Sequence, residues 1–396
     1  MNGRIKNILR RNIDVAGVFV FMLCVFSYIM FVLKWTGSDL CLHAEIAQKM
    51  LDEHRLFSTN FLMYFTVNLL TLFSGYKNLM RMVLILLISV SNTAKYVIVR
   101  EAFKEWTSLK IAKLSSLSLI FVFVIPYVRY LWLIGIIPAS EITHLGYYIG
   151  YYVPNVWHNS TILCMMPFAI ACYLLSVKQF KEYSERRNIY ITLLLALSVL
   201  VKPSFYFVYV IAYPIIILSK YGFKKESYHS LIPILVGGIC LAYEYSTIYL
   251  FGINDGSSVV IEFTPLLALD FWKSQVWCLI ASLSLPILFL FAYGKTIVWD
   301  REFWFVLIML ICGLGIQWYC KETGPRAHDG NFNWQTIASL WFVYYYMLKT
   351  MVTDRRRVSP LNRGGYSRYV VFAIYSIHVL MGIVYLVRYL LTQNYE

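Results

Sequence analysis

Apolar runs of about 20 residues recur along the whole chain, and they constrain its fold more than any other feature. A helical run of that length matches the hydrocarbon core of a bilayer, where every backbone N–H and C=O group must be satisfied internally. Hydrophobic residues make up 59% of the sequence and charged residues 14%, a balance far more apolar than that of a soluble domain. The sequence therefore predicts an all-α fold, a polytopic transmembrane helical bundle.

Twelve segments are apolar enough to insert into a membrane. They are 15–33, 57–74, 79–99, 115–137, 161–177, 189–201, 205–219, 230–251, 276–293, 303–319, 334–348 and 370–391. The chain has no internal repeat, soluble domain or low-complexity tract, so we expect a single integral membrane domain over 1–396.

Lysine and arginine indicate the orientation, because cytoplasmic loops retain positive charge. The N-terminal stretch is basic, and the loop 352–369 carries five arginines, so both are expected in the cytoplasm. The outer loops are then 35–56, 135–160, 252–272 and 320–333, and they face the periplasm or the exterior of the cell. The short loops of the chain fit a protein of a bacterial inner membrane. This retention also accounts for the net charge of +14, and nothing in the sequence is typical of a nucleic-acid module.

One parity problem arises in this topology. Three segments separate Asp39 from Trp157, whereas an even number is needed to keep both residues outside. The basic residues from Arg100 to Lys113 also favour the cytoplasm. We therefore expect one of the segments 57–74 and 79–99 to be re-entrant or not to cross fully, which leaves eleven crossings.

Polar residues follow the first apolar segment directly, in the stretch 36–51. On a helix, Asp39 and His43 share one face, with Glu45 two residues further on, beside a stripe formed by Leu40, Ala44, Ala47 and Leu51. This pattern predicts a short amphipathic surface helix whose polar groups face a cavity. Two alternatives stay open: Asp39 completes a capping box with Thr36, and His43 is a neutral interfacial histidine.

Further polar groups are expected on the same outer face. They are Trp157, His158 and Asn159 in one loop, Lys202 at the end of a span, and Lys321, Glu322, Arg326, His328 and Asn331 in another loop. Ionisable groups at such a depth usually face a cavity or a partner. The alternatives are an interface anchor with a helix cap for 157–159, snorkelling for Lys202, and a structural ion pair between Glu322 and Arg326. A disulfide between Cys41 and Cys320 is a further option.

These residue types suit one kind of chemistry. A carboxylate can take a proton from an acceptor hydroxyl, and cations and imidazoles can stabilise a phosphate leaving group. The combination is typical of glycosyl transfer from a phosphosugar that is linked to a lipid.

The position of Asp39 and His43 in the first outer loop, followed by a surface helix to Leu51, resembles the polytopic glycosyltransferases of the GT-C class. The segments 154–159 and 322–334 are similar to those of bacterial multi-pass proteins associated with surface polysaccharides. The resemblance implies that Asp39 is the catalytic base, and that Arg326, Lys321 or His158 contacts the donor phosphate. It implies an inverting transfer from a polyprenyl-phosphate or polyprenyl-diphosphate sugar to a glycan acceptor, in some members with Mg²⁺ or Mn²⁺. The chain departs from the family in having one Asp in the first loop instead of an acidic pair.

Two other functions stay open at this point. A polysaccharide polymerase of the O-antigen type uses similar lipid substrates but depends on arginines in large outer loops. A transporter or flippase would be expected to show inverted repeats and helices broken at the membrane midplane.

Overall fold

The computed structural model describes residues 3–33, 38–54, 60–136, 151–247, 258–262, 272–324, 330–354 and 363–393. The helices are α1 (Gly3–Tyr28), α2 (Asp39–Asp52), α3 (Phe61–Leu70), α4 (Lys77–Lys104), α5 (Leu109–Phe121), α6 (Tyr127–Leu133), α7 (Ser160–Lys181), α8 (Glu185–Val201), α9 (Ser204–Tyr221), α10 (Lys225–Ser230), α11 (Ile232–Tyr245), α12 (Trp272–Ile297), α13 (Arg301–Tyr319), α14 (Trp334–Thr353) and α15 (Arg363–Thr392). Two short strands, β1 (Ser258–Ile261) and β2 (Cys320–Thr323), pair antiparallel. The expected helical bundle is confirmed.

Seven helices within the described ranges are long and apolar enough to cross a membrane, namely α1 with its π-helical turn to Leu33, α4, α7, α9, α12, α13 and α15. The chain is therefore a multi-pass membrane protein. The expected eleven crossings also include α5, α8, α11 and α14. The first three are only 13, 17 and 14 residues long, and α14 has 20 residues but a more polar sequence. The total of eleven stays a prediction.

The helix α3 accounts for the parity problem. It has ten residues and rises about 15 Å, half the thickness of a hydrocarbon core. It folds back onto α2, where the Asn68 amide donates to the Ala47 carbonyl oxygen at 3.0 Å. The helix α4 then runs antiparallel to α1, because Arg100 Nη1 reaches Asp14 Oδ2 at 2.9 Å. Of the two segments in question, 57–74 is thus the one whose helix is too short to cross.

Two ends of the bundle can now be distinguished. The Asp39 end holds Asp39, Asn159 and Lys202, and the Arg100 end holds Asp14, Arg100, Lys178 and Asn188. Contacts at the Arg100 end tie neighbouring helices together: Lys178 pairs with Glu105 at 2.6 Å, and the Asn188 amide donates to the His229 carbonyl oxygen at 2.7 Å.

The expectation of a continuous span over 115–137 is wrong. The helix α5 ends at Phe121, residues 122–126 are not helical, and α6 begins at Tyr127. Pro126 explains part of the break, since the residue before a proline avoids helical geometry and proline has no N–H group to donate. The helix α15 covers the break: Phe123 N donates to the His378 carbonyl oxygen at 3.1 Å, and His378 Nδ1 donates to the Phe123 carbonyl oxygen at 2.6 Å.

The helix α14 forms the centre of the bundle, and nearly all of its side chains are buried. Aromatic rings pack around it, with Tyr173 stacked on Phe342 at 4.7 Å between ring centroids. Several of its polar side chains bond inside the protein; the Tyr346 hydroxyl, for example, donates to Asp300 at 2.9 Å. The first residue of α14, Trp334, is thereby held at the Asp39 end.

Candidate functional site

Asp39 is the first residue of α2. Ser38 is the N-cap, because its hydroxyl accepts from the Leu40 N–H at 3.2 Å. The capping-box interpretation of Asp39 is therefore wrong, and its proposed partner Thr36 lies outside the described residues. The predicted apolar stripe is confirmed, since Leu40, Ala44 and Ala47 are fully buried. This packing holds α2 in place and leaves the Asp39 carboxylate outside the buried stripe, where it can contact other groups.

Asn159 links Asp39 to the start of α7. Its amide Nδ2 donates to Asp39 Oδ2 at 3.1 Å. Its Oδ1 accepts from the Thr161 hydroxyl at 2.8 Å and from the Ile162 N–H at 3.2 Å, so Asn159 is also the N-cap of α7. A buried asparagine with all these bonds is held rigidly, and the second carboxylate oxygen of Asp39 receives no hydrogen bond from any described residue.

Lys202 lies between α8 and α9, close to the same point. Its Nζ donates to the Thr161 hydroxyl at 3.0 Å and lies 4.9 Å from the centre of the Trp334 ring. The snorkelling interpretation is wrong, because the side chain is only 6% exposed. Burial lowers the pKa of Lys202 to about 8, although the carboxyl groups of Asp39, Glu244 and Glu322 act in the opposite direction.

The two predicted histidines flank Asp39, and both are buried. His43 Nδ1 and the Tyr64 hydroxyl lie 2.6 Å apart in a hydrogen bond, and the His158 ring packs 6.1 Å from the Trp334 ring. Burial lowers the pKa of both imidazoles, while the Asp39 carboxylate raises it. The rings are therefore neutral near pH 7, and they can offer hydrogen bonds to a ligand but no positive charge.

Glu322 and Lys321 point to opposite faces of β2, as successive residues of a strand do. Glu322 is buried, accepts from the Asn331 amide at 2.6 Å, and acts electrostatically on Lys202. Lys321 instead pairs with Glu262, which follows β1. Glu322 and Asn331 thus belong to the Asp39 end as predicted, whereas Lys321 does not join them.

Two more of the predicted substrate-binding residues lie elsewhere. Glu45 pairs with Lys77 at the start of α4, because six residues along α2 turn it about 120° away from Asp39. Trp157 is buried between Phe26 and Phe121, with ring centroids at 6.1 and 6.0 Å, so it packs helices together. Arg326 and His328 lie outside the described residues, as do most of the loop 252–272 and residues 355–362 of the loop 352–369.

The sequence interpretation missed Glu244. This residue lies on α11, is 2% exposed, and neither carboxyl oxygen has a hydrogen-bond partner among the described residues. The available signal was a single acidic residue inside the apolar segment 230–251, since ionisable groups at membrane depth are costly and usually functional. We name the group formed by Asp39, His43, His158, Asn159, Lys202, Glu244 and Glu322 the Lys202 cluster.

The Lys202 cluster holds three carboxyl groups, two neutral imidazoles and one ammonium group. In the described ranges, however, no three His, Cys, Asp or Glu side chains are grouped closely enough to hold a metal ion. The Mg²⁺ or Mn²⁺ that the resemblance implies stays a prediction, and we derive no step through it. Cys41 and Cys320 are free thiols, so the disulfide option is wrong.

The cluster can accept a proton at Asp39 and bind an oxyanion at Lys202, inside a bundle that is embedded in lipid. Comparison with known proteins adds no further assignment. No model of a known protein family matches the chain, and no curated protein has a significantly similar sequence.

Proposed function

We propose that the protein is a membrane glycosyltransferase that moves a sugar from a polyprenyl-phosphate donor to a glycan or lipid-linked acceptor at the outer face of the membrane. One observation carries this proposal: the Asp39 carboxylate is hydrogen-bonded to Asn159 and lies beside the buried ammonium group of Lys202, at one end of a membrane bundle. A base and a cation at that position are what a phosphosugar embedded in the bilayer requires.

Asp39 is assigned as the general base. Asn159 holds one of its oxygens, and the other takes the proton from the acceptor hydroxyl. The acceptor oxygen forms a bond to the anomeric carbon of the sugar. The bond between that carbon and the phosphate oxygen breaks, and the polyprenyl phosphate leaves with the electron pair. Attack from the side opposite the phosphate inverts the anomeric centre.

Lys202 is assigned to the leaving phosphate. An ammonium group has three N–H donors, and Thr161 accepts only one of them. The two others have no acceptor among the described residues, so they are available for phosphate oxygens, with which charge-assisted hydrogen bonds are strong. The neutral rings of His43 and His158 add hydrogen-bonding capacity without further charge.

The test is the variant Asp39→Asn, with Asp52→Asn as its matched control at the exposed end of the same helix. General-base catalysis contributes about 10²- to 10⁴-fold, so the first variant should lose transfer by that factor and the second should keep it. Transfer of radiolabelled sugar from a polyprenyl-phosphate hexose to membrane glycans is the measurement. Full activity of Asp39→Asn in a correctly inserted protein removes Asp39 as the base.

Glycan analysis of a knockout separates this function from a polymerase, which would shorten the chains instead of removing a side sugar.

A transporter is the second candidate, and the break in α5 favours it. Lys95, buried within α4, donates to Asn155 Oδ1 at 2.7 Å, and the Asn155 amide donates to the Val122 carbonyl oxygen at 2.8 Å. A cation near the end of a broken helix is a feature of transporter sites. However, Lys95, Asn155 and the Val122 carbonyl include no carboxyl group, whereas the Lys202 cluster combines carboxyl groups with a cation. Movement of a polyprenyl-phosphate sugar across vesicles without transfer would favour the transporter.

A further inference from the structure

The carboxyl group of Glu244 makes no hydrogen bond that would give it a structural role among the described residues. Glu244 is the penultimate residue of α11, and its side chain is 2% exposed. Both of its oxygens lack a hydrogen-bond partner among the described residues. Burying an unsatisfied polar group costs about 1–3 kcal/mol, and more for a charged one. A ligand that donates hydrogen bonds would remove this cost.

The position of Glu244 follows from the pairing of α11 with α8. At the Arg100 end, the Asn188 amide donates to the His229 carbonyl oxygen, so these two residues lie at the same depth in the bundle. From there, 14 residues lead to Lys202 and 15 lead to Glu244, a rise of about 21 and 22 Å along helices. The two side chains therefore lie at a similar depth in the bundle, where they interact electrostatically.

A second contact links the end of α11, through α3, to the helix that carries Asp39. Tyr243, the neighbour of Glu244, packs edge-on against Phe61 of α3 with ring centroids 5.8 Å apart. One turn further along α3, Tyr64 holds His43, which shares a face of α2 with Asp39. The end of α11 thus lies close to α3, and Glu244 interacts with Lys202, which Trp334 covers from α14.

We propose that Glu244 recognises hydroxyl groups of the transferred sugar, while Lys202 holds the phosphate attached to the same ring. The assignment rests on the proposed function and names the part of the donor that Glu244 binds. A carboxyl group presents two oxygens side by side, which can form hydrogen bonds with two neighbouring ring hydroxyls. The phosphate on the anomeric carbon is adjacent to those hydroxyls, so one donor molecule reaches both residues and satisfies the unused groups of each.

Binding of lipid-linked sugars to the purified protein tests this assignment. The probes are a radiolabelled polyprenyl-phosphate hexose and its 2-, 3-, 4- and 6-deoxy analogues. Loss of a hydrogen bond to a buried polar group costs affinity, so the wild type should bind at least one deoxy analogue about 10- to 100-fold more weakly than the hexose. Glu244→Leu should lose this discrimination, and Glu244→Gln, which keeps one acceptor, should lose part of it. Cys240→Ser, one turn earlier on α11, is the matched control and should keep it.

Thermal unfolding without a ligand separates recognition from a structural role. Because Glu244→Leu removes an unpaired buried carboxyl group, its Tm should equal or exceed that of the wild type. A Tm lowered by several degrees would make Glu244 a structural residue and overturn the assignment.

The outcomes also separate this assignment from the proposed function. If transfer persists and Glu244→Leu discriminates among the analogues as the wild type does, the assignment is wrong and the transferase stands. If the wild type binds the hexose lipid through Glu244 but transfers nothing, the sugar site stands and the transferase is wrong. If the wild type binds none of the probes, both are wrong.

Discussion

Lys202 shows how single residues of this protein are tuned by burial. It is enclosed by Trp334 and Thr161, and the carboxyl groups of Asp39, Glu244 and Glu322 oppose the loss of its proton. Alongside burial, Lys202 in turn lowers the pKa of His43, which is neutral. Burial is the larger effect, so the ammonium group gives up its proton at a lower pH than an exposed lysine does.

A pH dependence follows from this. Since the pKa of Lys202 is lowered to about 8, the cation is present below that pH and is lost as the pH rises through it. We expect the KM for a polyprenyl-phosphate donor to rise above pH 8, as the phosphate loses its partner. Lys202→Arg should extend tight binding to higher pH, because a guanidinium group keeps its charge. Steady-state kinetics between pH 6 and pH 10, compared for the two proteins, is the measurement; identical alkaline limbs would show that Lys202 does not bind the phosphate.

The sequence predicted part of this residue-scale arrangement. The spacing of Asp39 and His43 places both on one helix face, and Asn159 lies in a polar run, so local patterns were sufficient for them. Glu244 was absorbed into an apolar segment, because one acidic residue hardly changes the hydropathy of 22 positions. Glu45 and Trp157 were polar or aromatic residues in the right loops, but their orientation depends on which helices pack beside them, and spacing does not reveal that.

At the scale of elements, hydropathy located the helices but not their interruptions. The segment 115–137 is apolar throughout, so the break at 122–126 leaves no signal except Pro126. The partner that makes the break tolerable is His378, 255 residues away from Phe123. Non-helical backbone survives at membrane depth only where protein groups satisfy it, and a local pattern cannot report so distant a contact. Loop charge indicated that 57–74 or 79–99 does not cross, but only the ten-residue length of α3 distinguishes the two.

The close approach of α15 to this break predicts the effect of one methyl group. A Cβ atom at Gly382 would overlap the carbonyl oxygen of Phe121, whereas a Cβ at Gly17 in α1 would meet nothing within 4 Å. Gly382→Ala should therefore destabilise the protein by about 1–3 kcal/mol or more, since a helix backbone must shift. Gly17→Ala, the control, should be neutral or slightly stabilising because alanine favours helices. Tm values of the two purified variants test this, and equal values would contradict the packing of α15 on α5.

At the scale of the whole molecule, the two ends of the bundle differ in charge. Most described basic residues that flank the helices lie at the Arg100 end, including those of the turns after α7 and α9. The Lys202 cluster lies at the other end. By the positive-inside rule we expect the cluster to face away from the cytoplasm, as the proposed function requires.

Cysteine labelling in intact cells tests this orientation. Asp52→Cys places a thiol at the Asp39 end, and Glu105→Cys places one at the Arg100 end. A membrane-impermeant maleimide should label the first in intact cells and the second only after permeabilisation. The unsubstituted protein, with its eight native cysteines, is the control for background labelling. The reverse pattern would put the cluster in the cytoplasm and exclude transfer at the outer face.

The contact between Phe123 and His378 can form only after the ribosome has synthesised α15. A ribosome adds about 5–20 residues per second, so roughly 13–50 s pass between synthesis of Phe123 and synthesis of His378. During that interval the backbone of residues 122–126 has no partner from α15, and a chaperone, the insertion machinery or water must shield it. Biogenesis of this protein is therefore most vulnerable in the middle of translation, and slowing the ribosome after α6 should lower its yield more than slowing it after α15.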